Sequence, residues 1–107
     1  MNITAVTGEV ELNGGYSKLY GFSIETAENV EFSFRNGESG IAAVFISLGA
    51  DESIQQRFKT PIVLTDGLFL ECSGTIEGTV WWTPYRYTEG EVLYPIRDDT
   101  RGAIAPE

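Results

Sequence analysis

Residues 16–37, YSKLYGFSIETAENVEFSFRNG, decide the fold class. Within them Val30, Phe32 and Phe34 alternate with Glu31, Ser33 and Arg35, so a strand there turns its apolar set to one face and its polar set to the other. Asn36-Gly37 then supplies a dipeptide that readily adopts the positive φ of a tight hairpin turn. Residues 16–25 repeat the scheme, with Tyr20, Phe22 and Ile24 expected on one face and Leu19, Gly21 and Ser23 on the other. Two neighbouring strands with a polar outer side and an apolar inner side must close on a core.

The same period extends in both directions. Upstream, residues 3–7 and 9–12 read as opening strands separated by Gly8. Downstream, residues 41–48, IAAVFISL, form a nearly continuous apolar run, which suits a central strand covered on both faces. Residues 49–59, GADESIQQRFK, break the pattern and read as a loop with one helical turn capped by Asp51 or Ser53. Residues 60–65 and 68–73 form an expected hairpin around Asp66-Gly67, with Pro61 confined to a strand start or edge. Residues 75–83 add a strand in which Val80 and Trp82 point opposite to Trp81. The result is an all-β chain of about seven to nine short strands, an antiparallel β-sandwich or jelly-roll-like domain over residues 1–87, followed by an acidic C-terminal arm over 88–107. That arm frays or orders against a neighbouring subunit.

Composition removes function classes before any site is found. The 107 residues suffice for one domain with its own core. Histidine is absent and cysteine occurs once, which excludes the Ser-His-Asp triad, the Cys-His dyad, the His-ligated zinc site and an internal disulfide. Seven basic residues against 16 acidic ones leave a formal charge of −9, which opposes the phosphate backbone of nucleic acid. No apolar run is long enough to span a membrane, and Met1-Asn2-Ile3-Thr4 lacks the basic and apolar regions of a secretory signal, so a soluble, non-exported chain is expected.

Chemistry-bearing motifs are sparse. Asp98-Asp99, Asp51-Glu52, Glu9 with Glu11 and Glu89 with Glu91 are paired carboxylates, but none has EF-hand spacing, and no metal or other cofactor is expected. Two carboxylates could in principle serve a hydrolase if burial raised the pKa of one, yet no enzyme is expected. Cys72 shares its predicted face with Leu68 and Leu70 and reads as a small buried hydrophobe. The glycines fall in no phosphate-cradling pattern and fit turns and bulges. The most suggestive feature is aromatic: Trp81, Trp82, Tyr85, Tyr87 and Tyr94 crowd one region. Adjacent strand residues face opposite ways, so the two indoles cannot both be core. Trp81 or Trp82, with Tyr85, Tyr87, Val92, Leu93, Tyr94 and Ile96, forms the expected protein-contact surface. The alternative is a carbohydrate-binding or receptor-binding module, which would use the same aromatics to stack on sugar rings.

The succession Leu19-Tyr20-Gly21-Phe22-Ser23-Ile24, Asn36-Gly37, the 41–48 run, Pro61-Ile62 and Asp66-Gly67-Leu68-Phe69-Leu70 resembles small β-rich virion proteins of tailed bacteriophages, those that decorate or cement capsids. The resemblance spans residues 16–82 and rests on the order of features. It implies a non-enzymatic structural protein, made in the host cytoplasm and placed on the outer head surface, where it stabilises capsomer contacts. The implied partner is the major capsid protein or another virion protein. The implied state is a homo-oligomer, with a trimer favoured, and neither nucleic acid nor membrane is a partner. An acidic β-domain would stay soluble before assembly and keep off the packaged genome.

Overall fold

The structure is a computed structural model that describes residues 1–84. It contains eight strands: β1 Asn2–Val6, β2 Val10–Asn13, β3 Ser17–Glu25, β4 Val30–Asn36, β5 Ala42–Leu48, β6 Ser53–Leu64, β7 Leu68–Cys72 and β8 Glu77–Pro84. They form two antiparallel four-stranded sheets, a first of order β1-β8-β3-β6 and a second of order β2-β7-β4-β5. Strands β1 to β4 thus pair with β8 to β5 as one long hairpin, whose tip is β4–β5 and whose arms roll over each other. That strand order is a jelly roll, the sandwich-like alternative drawn from the alternation. The arm expected over 88–107 lies outside the described residues.

The two inner faces meet in one core. Leu19, Phe22, Ile24, Ile62, Leu64 and Val80 come from the first sheet, and Val30, Phe32, Phe34, Leu68 and Leu70 from the second. Phe22 packs edge-on to Phe32 at 5.7 Å between ring centroids and lies 5.0 Å from Phe34, which ties the sheets together at mid-height. Such pairs add about 0.5–1.5 kcal/mol beyond the area they bury. Among the described residues no buried side-chain nitrogen or oxygen lacks a partner: Ser17 is fully buried, and its hydroxyl donates to Gly15 O at 2.8 Å and accepts from Asn13 Nδ2 at 2.8 Å.

The alternation of residues 30–35 sets Val30, Phe32 and Phe34 in the core, with Glu31 exposed and Arg35 half-buried, but Ser33 on the other face is buried as well. Four local expectations are corrected. In β3 the register slips between Leu19 and Gly21 against both neighbours, so a bulge at Tyr20 changes parity: Leu19 is buried, Tyr20 turns outward, and Phe22 and Ile24 face the core. The 41–48 run is not central. β5 is an edge strand, and its Phe45 is 62% exposed. Residues 49–59 contain no helical turn: Gly49 O accepts from Glu52 N at 3.1 Å, Asp51 sits at φ 65°, and β6 starts at Ser53. Finally, 60–65 and 68–73 do not pair. Gly67, at φ 128°, carries the chain from β6 in the first sheet to β7 in the second. Pro61 falls in the irregular stretch of edge strand β6, between the segments that pair with Gly21 and Leu19.

Asn36-Gly37 does open the β4–β5 hairpin, with Gly37 at φ 87°, but the turn is wider than two residues. It is closed by Asn36 N donating to Ile41 O at 3.0 Å.

Candidate functional site

Strand parity separates the two indoles as expected. Trp82 turns inward and is 8% exposed, with Nε1 donating to Thr4 Oγ1 at 3.0 Å. It belongs to the core, which corrects its place in the expected contact surface. Thr4→Val leaves that indole N–H without its partner and lowers stability by about 1 kcal/mol in urea denaturation, since a buried donor stripped of its acceptor bears the desolvation cost.

Trp81 occupies the outer face of the first sheet. Its row across the four strands is Ile3 on β1, Trp81 on β8, Gly21 on β3 and Arg57 on β6. Gly21 explains the arrangement. A Cβ there would lie 3.1 Å from Trp81 Cε3 and 3.1 Å from Arg57 Cα, so the bare position lets side chains from the two flanking strands meet over β3. The Arg57 guanidinium carbon lies 4.9 Å from the indole centroid, a cation–π contact worth about 0.5–1 kcal/mol at an exposed site. Ile3 is 65% exposed beside the indole, and Met1, just before the strand, is exposed as well. Beyond this row come Ala5, Thr79, Ser23 and Gln55, small or uncharged residues.

The cations gather on the same sheet. Among the described residues Lys18, Arg57 and Lys59 all lie on β3 and β6, whereas Arg35 is on the second sheet, where its Nε donates to Glu71 Oε1 at 2.6 Å. In a chain of net charge −9, the outer face of the first sheet therefore carries the Trp81 row at its centre, these cations toward one side, and the paired Glu25 and Glu77 at one end. Sequence reading found Trp81. It missed Ile3, Arg57 and the exposed Phe45, because strand pairing brings Ile3 and Arg57 to the indole and an edge position exposes Phe45. Tyr85, Tyr87, Val92, Leu93, Tyr94 and Ile96 lie outside the described residues.

Two other places bear titratable groups. An open depression of about 790 Å³ is rimmed by Glu25, Glu28, Asp51, Glu52 and Glu77. Two of these carboxylates already hold backbone: Glu28 accepts from Thr75 N at 2.9 Å and Glu52 from Gly49 N at 2.7 Å. Among the described residues no group of three His, Cys, Asp or Glu is placed to bind a metal. Cys72 is half-buried with its Sγ 3.1 Å from Gly74 O. Burial, and then the charges of Glu9 and Glu71, push its pKa up, which keeps it a thiol rather than a nucleophilic thiolate.

Among the described residues, eight antiparallel strands in two sheets define a β-sandwich of jelly-roll order, with one indole on the outer face of the first sheet. Comparison with known proteins returns no matching family model, no matching curated protein and no matching solved structure.

Proposed function

We propose that this chain is a non-catalytic structural protein that docks on another protein through the outer face of its first sheet, as a decoration or cement protein on the outer surface of a tailed-phage head. The observation that carries the reading is the Ile3–Trp81–Gly21–Arg57 row: an indole laid over a glycine and stacked with a guanidinium, beside an exposed isoleucine. Trp and Arg are the residues most enriched at the energetic centres of protein interfaces, where a desolvated aromatic is ringed by weaker contacts. Jelly rolls recur in viral capsid domains, an analogy of fold. The partner is the major capsid protein or another virion protein, presenting an apolar patch with carboxylates toward Arg57.

Cosedimentation with undecorated phage heads tests it. Trp81→Ala and Ile3→Glu are each expected to weaken binding at least about tenfold, the loss typical of an interface hot spot, while circular dichroism stays native. Unchanged binding by both folded variants removes the proposal. Jelly rolls also occur as lectins, and the outward Trp81 gives a carbohydrate-binding reading one specific support. Glycan-array binding lost in Trp81→Ala would favour it. The guanidinium beside the indole opposes it, because a stacking sugar would have to displace that cation.

A further inference from the structure

The four sheet edges are guarded unequally. β2 has four residues, includes Glu11 and slips register beside it. β6 carries Arg57, Lys59 and Pro61 and breaks its ladder between the segments that face Gly21 and Leu19. β1 is uncharged but has only five residues, and its one large exposed side chain, Ile3, belongs to the docking row. β5, AAVFISL, is seven residues long with no charge and no proline. Its register against β4 is regular from Val44 to Leu48, after Ala43 is left as an extra residue. Natural proteins blunt such an edge with charge, proline or a bulge, because its outward N–H and C=O groups are open to another strand.

We infer that the β5 edge pairs antiparallel with β5 of a second copy, joining the two second sheets into one eight-stranded sheet. Three observations select a second copy as the occupant. Val44 and Ile46 point toward the core yet stay half-buried, because among the described residues no strand lies beyond β5. An identical strand centred on Ile46 sets Val44 opposite Leu48 of the other copy and Ile46 opposite itself, extending both cores with apolar side chains. On the outer face Phe45, 62% exposed, then meets Ser47 of the other copy. Lastly, two chains of charge −9 repel each other at most faces, and β5 brings no charged residue opposite another.

This pairing has a two-fold axis perpendicular to the sheet, so both copies keep their first sheets on the same side. Two Trp81 faces then point the same way, and the dimer engages a repeated protein lattice bivalently. That last step rests on the proposed function; the dimer itself does not. One strand-to-strand seam buries less than the roughly 1,200–2,000 Å² of a standard stable interface, so the dimer is concentration-dependent.

Sedimentation equilibrium of the full chain over a wide concentration range tests this. The parent is expected to pass from monomer to dimer, and Phe45→Glu to raise the dissociation constant at least about tenfold by removing the ring that meets Ser47 and setting two like charges diagonally across the seam. Ser47→Lys is expected to do the same. The double variant, Phe45→Glu with Ser47→Lys, restores the dimer, because the Ile46-centred register sets each new Glu opposite a new Lys. Trp81→Ala leaves the dimer intact whether or not it abolishes head binding, so the two ideas fail separately. A parent that stays monomeric, a trimer as its main oligomer, or a dimer indifferent to Phe45→Glu overturns the inference. So does a double variant no better than its singles while its circular dichroism is native.

Discussion

Phe22→Ala is expected to lower the free energy of unfolding by about 3–5 kcal/mol, the usual cost of emptying a phenylalanine site in a core. Phe22 is fully buried, and its ring is the bridge between the sheets: it comes from β3, while the rings it meets at 5.7 and 5.0 Å, Phe32 and Phe34, come from β4. Phe58, 6.2 Å away on β6, closes a further side. The void cannot collapse readily, since its walls stand on separate sheets whose spacing the rest of the core sets. A domain of this size has a total stability of roughly 5–15 kcal/mol, so the variant sits near the edge of folding. Urea denaturation reads the change as a fall in midpoint at similar slope. Phe45→Ala is the control: that ring is 62% exposed, and the expected change is within about 0.5 kcal/mol. A loss under about 1 kcal/mol at Phe22 would mean that the sheets are held together elsewhere.

The contrast between Phe22 and Phe45 shows what the sequence could convey. Alternation is a local property of the backbone, so the inward set of residues 30–35 and the opposition of Trp81 and Trp82 were legible from neighbours alone. Strand order is a property of the whole chain. Among the described strands only β4 and β5 are both consecutive and paired, so the local turn signal at Asp66-Gly67 marked a change of sheet rather than a hairpin. Residues 41–48 looked central because hydrophobicity reports how much apolar surface a strand offers, not whether another strand covers it; the inferred second copy would account for the excess. β6 was hidden for the opposite reason. Its first half, with Gln55, Gln56 and Arg57, pairs only with β3 and turns polar groups to solvent. The site divides the same way: Trp81 was visible in the sequence, whereas Ile3 and Arg57 reach it only through pairings that no local pattern encodes. Leu19 and Phe22 are three apart in a strand of period two, with Gly21 between, which is the spacing a bulge produces.

That glycine joins stability to function. Gly21→Val is expected to cost about 3 kcal/mol, at the upper end for forcing extra atoms into a packed position. A Cβ at residue 21 would lie 2.5 Å from Gln56 O and 3.1 Å from Arg57 Cα, both backbone atoms of β6, so relief requires moving the edge strand rather than rotating a side chain. The same Cβ would lie 3.1 Å from Trp81 Cε3, and the two methyls of valine would extend over the space where the indole rests. Trp81 must lift away, and its contact with Arg57, now 4.9 Å from guanidinium carbon to centroid, is lost. Two measurements separate these effects. Urea denaturation reports the strain, while tryptophan emission in a Trp82→Phe background reports Trp81 alone and should move to the red as the ring enters water. Gly21→Ala should give a smaller loss of the same kind, since it adds the Cβ without the branches. At a temperature where Gly21→Val is fully folded by circular dichroism, its binding to undecorated heads should fall about as far as that of Trp81→Ala. Full binding by that variant with a red-shifted indole would show that docking needs the ring's presence but not its seat over β3, and normal stability with unshifted emission would show that β6 yields without strain.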